Sequence, residues 1–287
     1  MSHLYKGHPY EREIIGFPEH LKNPRLSKLI EFYNTWYVPS NMALILTGNF
    51  DIEEAKPLIE QKFGRLVDKQ VPERSSYPSA DFTGNPKYSA KLGYSPIVVW
   101  GYKTVPVGHP DEITLGFCSS LLSNSMSTGL LDKITMDGDV QQAAATLDSR
   151  RDEGRFLIQA IPYYDANQRI YESDKATERT VMNEVDKLKK GDIEDWLIES
   201  VKNSELRSYE MMLENPSSKI LLLNQIFAYQ LPPDYYASIP DKMAKLSKED
   251  IQRVAQKYLN EDHLMVSIDI GTPKKDKLKK PDIKPRS

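Results

Sequence analysis

The sequence has few of the residues that mark disulfide-rich, membrane-spanning or strongly charged proteins. Cys118 is the only cysteine among 287 residues, which excludes a disulfide within the chain and a zinc site built on cysteines. No window reaches the roughly 18 consecutive apolar residues that a membrane span requires. The formal net charge of -3 excludes a general electrostatic attraction to nucleic acid or an anionic membrane. The first 20 residues contain no signal-peptide hydrophobic region, so the sequence indicates no compartment.

Histidine is also scarce, and its spacing is irregular. The chain has five histidines: His3, His8, His20, His109 and His263. The first three lie in a polar segment rich in proline and glycine, which predicts solvated side chains, with a loose metal site as the alternative. His109 precedes Pro110 at a helix start and is interpreted as a turn residue. His263 is predicted to lie on the surface, in the turn before the last strand.

Hydrophobic periodicity predicts the secondary structure near the start of the chain. The stretch "LSKLIEFYNTW", residues 26–36, has the apolar spacing of a helix. After "YVPSN", residues 42–46 are apolar throughout and predict a strand that is covered on both faces. Asp51 is the expected N-cap of the next helix, which should end near Gly64.

The rest of the chain alternates predicted strands and helices. Strands are expected at residues 97–102, 141–148, 155–162 and 264–270. Helices are expected at residues 112–122, 129–136, 166–190, 192–212, 217–229 and 247–258. Ser247 and Asp250 have the spacing of a capping box, and Cys118 lies on a helix face that predicts a buried thiol.

The chain repeats one pattern near its two ends. A helix that ends in tyrosine, a short polar turn with asparagine, a strand and a glycine occur around Tyr37 and again around Tyr258, a domain length apart. Residues 1–66 are therefore interpreted as the C-terminal part of a first αβ unit, and residues 94–272 as a complete second unit. Residues 67–93 are interpreted as a connection, and residues 273–287 as a basic linker or tail rich in proline and lysine.

The first unit carries a specific resemblance. The matching positions are Tyr37, Pro39, Asn41, Met42, Gly48, Phe50, Asp51, Phe63 and Gly64. With "GHPYEREIIG" upstream, this stretch resembles the insulinase/pitrilysin family of zinc metallopeptidases, which includes the mitochondrial processing peptidases. The resemblance implies an α+β fold with a mixed or antiparallel sheet and helices packed on one face. It covers nearly the whole chain, more loosely after residue 93.

Two departures from the family pattern determine the expected function. The family binds zinc through His-x-x-Glu-His and a further Glu, and none of the five histidines forms that motif. The family's substrate-contacting Arg and Tyr match Thr135 and Gln142 here, which supply neither a cation nor a phenol. The resemblance therefore implies no catalytic or metal-binding residue in this chain, and zinc only in an active full-length parent.

The expected function is that of a non-catalytic portion of a zinc metallopeptidase that helps to enclose peptides in a chamber. Its expected partners are other domains of the parent polypeptide or a paired homologous subunit, together with peptides or unfolded polypeptides. The alternative is a catalytically dead family member that acts as a peptide-binding or scaffold subunit. A His-x-x-Glu-His motif upstream in the parent would separate the two.

Three other patterns have an ordinary interpretation beside a functional one. The Tyr163-Tyr164 and Tyr235-Tyr236 pairs could stack on a ligand, although tyrosines at the edge of a core are commoner. Acidic residues at 192, 194 and 195 begin a helix, where they complement the helix dipole rather than supply a general acid. The basic tail could contact nucleic acid, but it contains no aromatic residue to stack on bases, and no nucleic-acid partner is expected.

Overall fold

The computed structural model describes residues 3–12, 14–77, 84–93, 95–167 and 170–270. The helices are α1 (Pro18–Leu21), α2 (Leu26–Trp36), α3 (Ile52–Phe63), α4 (Glu112–Leu122), α5 (Leu130–Met136), α6 (Asp174–Lys190), α7 (Asp195–Glu214), α8 (Pro216–Tyr229), α9 (Ile239–Ala244) and α10 (Lys248–Tyr258). The strands are β1 (Lys87–Gly93), β2 (Ile97–Thr104), β3 (Val140–Ser149), β4 (Gly154–Pro162), β5 (Tyr164–Asp165), β6 (Ile170–Tyr171) and β7 (Leu264–Ile270). Within these ranges no helix is both long and apolar enough to cross a membrane.

Five of the strands form one mixed sheet, in the order β1-β7-β2-β4-β3. β1 runs parallel to β7, and the other neighbouring pairs are antiparallel. Trp100 is at the centre, opposite Met265 of β7 on one side and Ile158 of β4 on the other. The predicted α+β class with a mixed sheet is confirmed.

The main core lies between one face of this sheet and the helices. Side chains alternate along a strand, so Val98, Trp100 and Tyr102 of β2 point to the same face, and each is at most 1% exposed. They belong to one apolar cluster with Phe156 of β4 and with residues of α4, α6 and α10, including Val185. Burial of this alternating set holds the register of the sheet, because a slip by one residue would turn it toward solvent.

A short N-terminal segment, residues 3–10, lies on the other face of the sheet, and we call it the strap. Leu4 and Tyr5 are buried there with Leu264 of β7, and the Leu4 side chain is also the neighbour of Gly101. The His3 ring stacks on Tyr88 of β1, with 3.9 Å between the ring centroids. The strap therefore packs on β1 and β7 of the sheet.

The predicted strand at residues 42–46 is wrong. The helices on either side form as predicted, with Asp51 accepting hydrogen bonds from the backbone N–H groups of Glu53 and Glu54. Residues 42–47 instead form neither a helix nor a strand in the described chain, and the Leu44 side chain is 51% exposed. A strand needs a neighbour for its backbone groups, and none lies beside this segment in the described ranges.

Other boundaries also differ from the prediction. The long helix begins at Asp174, not near residue 166, because the Ser173 hydroxyl caps it and the preceding chain forms the β5–β6 pair. β1 lies inside the stretch interpreted as a connection, where Pro, Ser and Gly mask the strand pattern. The short helix α9 was not predicted. The proposed linker at residues 273–287 lies outside the described residues.

Candidate functional site

The loop between α4 and α5, residues 123–128, is shaped by one asparagine. The Asn124 Oδ1 atom accepts hydrogen bonds from the N–H groups of Met126 (3.0 Å) and Thr128 (3.3 Å) and from the Thr128 hydroxyl (3.2 Å). The Asn124 amide donates to the Ser120 carbonyl at 3.0 Å. These local bonds close a turn, so the loop presents a fixed surface.

Asp132, in the first turn of α5, completes this loop. Its Oδ2 atom accepts from the N–H of Gly129 and from the N–H of Asn124, both at 2.9 Å. Gly129 is the N-cap of α5, where a carboxylate also complements the helix dipole, and Asn124 lies in the loop just after α4. This carboxylate is therefore engaged in capping and not in acid–base chemistry.

The two positions that match the family's Arg and Tyr lie on one cleft beside this loop. The Thr135 hydroxyl donates to the Leu131 carbonyl (3.0 Å) and accepts from the Ala143 N–H (3.1 Å), so it ties α5 to β3. Gln142 is exposed and lies where the register of β3 on β4 shifts. Both line a cleft of roughly 460 Å³. The loss of substrate contacts at these positions stays a prediction.

The chemistry of this cleft is that of hydroxyl and amide groups. Its lining residues are Ser123, Asn124, Ser125, Ser127, Asp132, Thr135, Met136, Gln142, Ala143 and Ala144. The Ser123 hydroxyl is already bonded to the backbone of Ala145, from which it accepts at 2.8 Å. No histidine, cysteine or cation is among these residues, so no nucleophile is paired with a base. The groups that line the cleft can donate and accept hydrogen bonds.

The histidines do not fit a zinc site. His3 stacks on Tyr88, His20 packs edge-on against Phe17, and the Nδ1 atom of His109 accepts from the Asp111 N–H at 3.0 Å. The turn role of His109 is thus confirmed. Across the described ranges, no group of three histidine, cysteine, aspartate or glutamate side chains could hold a metal ion. A zinc ion bound by the parent would need donors from elsewhere.

Two histidines predicted to be solvated or superficial are buried. His8 is 2% exposed. Its Nδ1 atom accepts from the Tyr10 N–H at 3.1 Å and so caps the short 3₁₀ helix at Pro9–Glu11. His263 is 7% exposed and packs against the Tyr102 ring, with 5.1 Å between the ring centroids. Both predictions failed because the burial depends on residues distant in sequence. The strap that holds His8 packs on Leu264, and His263 packs on Tyr102.

His263 should make stability depend on pH. Burial lowers its pKa below the usual 6.5, although a hydrogen bond to the Asn260 carbonyl opposes the shift. The unfolded chain then binds the proton more readily, so this contribution to stability is present above pH 6.5 and is lost as pH falls through 6.5 toward the folded-state pKa. Urea unfolding between pH 7 and pH 5 should show a smaller loss for His263→Gln than for the wild type. An equal loss in both would contradict this, and exposed His20→Gln is the control.

The remaining sequence patterns mostly have ordinary roles. Cys118 is fully buried, and burial raises the pKa of its thiol to about 12, as expected of an inert side chain. The Tyr164 ring packs on Tyr171, with 4.8 Å between the ring centroids. Glu194 accepts a hydrogen bond from the Trp196 indole at the start of α7, which fits a helix-terminal role.

Sequence reasoning missed the residues whose partners are far along the chain. Asp111 lies at the start of α4, yet it bonds Arg253, Lys257 and Tyr258 of α10. Likewise Glu112 pairs with Tyr235, which was noted for its neighbour Tyr236 alone. No local signal in the sequence connects residues separated by more than a hundred positions.

Comparisons with known proteins agree with this fold and with the absence of a zinc motif. The family model described as the peptidase M16 inactive domain matches residues 25–205. The zinc protease PqqE of Helicobacter pylori is 23% identical over 265 residues, which are 90% of this chain and 57% of that protein. The chain thus spans little more than half the length of that relative.

Solved structures of other proteins superimpose on this chain and have the same fold. A protease from Helicobacter pylori superimposes with a TM-score of 0.80 at 21% identity, over 93% of this chain and 64% of that one. An M16 inactive domain from Pseudomonas fluorescens has a TM-score of 0.77 at 16% identity, over 94% and 63% of the two chains. The periplasmic protease PqqL of Escherichia coli matches over 91% of this chain and 30% of its own, with a TM-score of 0.72 at 15% identity. The resemblance to the insulinase/pitrilysin peptidases is confirmed, and the chain belongs to the peptidase M16 inactive-domain family.

Proposed function

We propose that this chain is the non-catalytic portion of an insulinase-type zinc metallopeptidase, that it docks against the remaining portion of the full-length protein and that it helps to enclose peptides. The observation that carries the proposal is an apolar surface on residues 14–66 that is exposed in the described structure. Leu26 and Phe32 of α2 are 69% and 58% exposed, and Leu58 of α3 is 60% exposed. An amphipathic helix of this kind normally buries its apolar stripe against a partner.

The segment at residues 42–47 also supports docking against the remaining portion of the full-length protein. Met42, Leu44 and Leu46 are each about half exposed, and this backbone has no strand partner in the described ranges. An exposed segment with unpaired backbone groups and apolar side chains pairs readily with another strand. A strand from an upstream portion would cover these side chains and complete the sheet of a first unit.

The length of the relatives indicates where that partner comes from. This chain corresponds to 57% of the PqqE sequence and 64% of the Helicobacter pylori protease chain. The uncovered part of such a protein is large enough to hold the rest of a first unit. Because the described histidines do not fit a zinc site, we place any zinc-binding motif in that part.

The assembly can be tested with the upstream portion of the same protein expressed separately. Leu26→Glu with Leu29→Glu should weaken association at least about a hundredfold, because each leucine contributes roughly 1.5–3 kcal/mol when buried and the two together roughly 3–6 kcal/mol. Association is measured by calorimetry or by sedimentation. Ser27→Glu with Asn34→Glu, on the polar positions of the same helix, is the matched control.

Two results would contradict the proposal. Equal weakening by the apolar and the polar variants would remove the docking role of the α2 stripe. Hydrolysis of peptides by this chain alone, in a manner sensitive to chelators, would contradict its non-catalytic role. If the chain encloses peptides, the assembled protein should release a bound peptide slowly after dilution.

The alternative function is a catalytically dead peptide-binding or scaffold subunit. Thr135 and Gln142 favour it, because they replace the family's Arg and Tyr and the Thr135 hydroxyl is used within the fold. The size of the native protein in its source cells separates the two functions. A band far above 32.9 kDa on a blot, with a His-x-x-Glu-His motif upstream, supports the peptidase.

A further inference from the structure

A second cleft, which we call the tyrosine cleft, lies between α4, α7 and the segment that leads into α9. Its volume is roughly 410 Å³. The polar side chains that line it include three tyrosines and two carboxylates: Tyr209, Tyr235, Tyr236, Glu112 and Glu205. It shares no lining residue with the cleft beside Thr135. Aromatic faces and carboxylates together form an environment that suits an organic cation.

Neither of the two carboxylates has a salt-bridge partner among the described residues. Glu112 Oε2 accepts from the Gly108 N–H at 2.7 Å and from the Tyr235 hydroxyl, and Glu205 Oε1 accepts from the Ser120 hydroxyl at 2.6 Å. All of these donors are neutral. Within the described part of the chain, no lysine, arginine or histidine nitrogen forms a salt bridge with either glutamate. Two partly buried carboxylates therefore line one cleft.

The tyrosines add ring faces and one free hydroxyl. Tyr235 and Tyr236 meet edge to face, with 5.1 Å between their centroids, and the Lys242 ammonium already lies 5.3 Å from the Tyr235 centroid. Burial raises the pKa of Tyr236 to about 12, so its ring stays that of a neutral phenol. The Tyr209 hydroxyl oxygen is shielded from solvent and has no hydrogen-bond partner in the described structure. A buried hydroxyl without a partner is costly, and a ligand would satisfy it.

We propose that the tyrosine cleft binds the ammonium or guanidinium group of a basic side chain, with Glu112 and Glu205 as counter-charges and Tyr209 as a hydrogen-bond acceptor. Charge complementarity selects this ligand, because an anion would meet two carboxylates, and an apolar group would supply neither a counter-charge for them nor a hydrogen-bond partner for the Tyr209 hydroxyl. The planar guanidinium also stacks on a tyrosine ring, which favours arginine over lysine.

Two sources could supply such a side chain. One is a peptide with arginine or lysine, and the other is the basic segment at residues 273–287 of the chain itself, which has seven lysines and arginines. Peptide binding is therefore measured both with the full chain and with a chain that ends at residue 272. The proposal deepens the peptide-binding role proposed above, but its test uses this chain without the upstream portion.

The probes are the N-acetylated amides of Ala-Arg-Ala, Ala-Lys-Ala and Ala-Glu-Ala, titrated by calorimetry. The arginine and lysine peptides should bind, with arginine tighter, and the glutamate peptide should not. Glu205→Gln should weaken binding of the arginine peptide about tenfold, because a charge-assisted hydrogen bond is lost. Glu210→Gln, an exposed position on the same helix and outside the cleft, should leave the affinity unchanged.

Tyr209→Phe keeps the test independent of folding defects. It removes a hydroxyl that has no partner in the described structure, so thermal unfolding should stay at the wild-type temperature or rise slightly while affinity falls. Binding that appears only after removal of residues 273–287 would support the site and identify the tail as its occupant. Absence of binding in both chain lengths, or equal affinity of Glu205→Gln and the wild type, would overturn the proposal. Neither outcome depends on association through α2, which is measured separately.

Discussion

Replacing Gly154 with alanine is expected to lower the free energy of unfolding by about 3 kcal/mol, at the upper end of overpacking effects. A Cβ atom at this position would lie 2.2 Å from the Val105 carbonyl oxygen and 2.7 Å from the Thr104 hydroxyl. The backbone cannot easily shift, because Gly154 is paired with Thr104 of β2 and with Ser149 of β3. Urea unfolding at pH 7 measures the effect.

The matched control is a glycine in a helix that packs on the same sheet. Gly116 lies inside α4, and its nearest neighbour to a new Cβ would be the Leu147 side chain at 3.9 Å. Gly116→Ala should therefore stabilise the chain by roughly 0.5–1 kcal/mol, through helix propensity alone. A Gly154→Ala variant that unfolds at the same urea concentration as Gly116→Ala would show that the β3–β4 turn adapts without cost.

Asp111→Ala should destabilise the chain by roughly 2–3 kcal/mol. The Asp111 side chain is 8% exposed and accepts hydrogen bonds from Arg253 (2.9 Å), Lys257 (2.9 Å) and the Tyr258 hydroxyl (2.8 Å). Removal of the carboxylate leaves two cations and a phenol beside the start of α4 without their acceptor. The cost stays moderate because Arg253 and Lys257 are each about half exposed and can be rehydrated.

The Asp111 carboxylate should also make the stability of the chain depend on pH in acid. Burial opposes ionisation of Asp111, but the hydrogen bonds from Lys257, Arg253 and Tyr258 outweigh it and hold its pKa well below the usual 3.8. Its contribution to stability is present above pH 3.8 and is lost as pH falls further. Asp111→Ala should therefore flatten the acid limb of the stability curve, whereas Glu261→Gln, at an exposed site, should not. A steep limb that persists in Asp111→Ala would assign acid unfolding to other groups.

Elements with local signals were predicted well from the sequence. α2 and α4 have the predicted bounds, and Asp51 and Ser247 cap their helices as expected. In each case the periodicity or the cap lies within a few residues of the element. The strand at residues 42–46 failed for the opposite reason, because a strand depends on a neighbour that its own residues cannot specify.

The candidate sites divide in the same way. The resemblance matched Thr135 and Gln142 to the family's Arg and Tyr, and both residues line one cleft. The tyrosine cleft could not be found from the sequence, because Glu112, Glu205 and Tyr235 come from three separate parts of the chain. The burial of His8 depends similarly on the strap, which packs on strands that come much later in the chain.

The strap also changes how the exposed N-terminal helices are held. Leu4 and Tyr5 are anchored on the sheet, and β1 is anchored on β7 of the same sheet, so the chain between them is a closed loop and not a free arm. Release of α2 or α3 from its surroundings would leave both ends of this loop attached. The entropy that such a release gains grows only with the logarithm of the loop length. A partner that displaced α2 or α3 would therefore compete with helices that stay attached to the sheet at both ends of the loop and so remain at high local concentration.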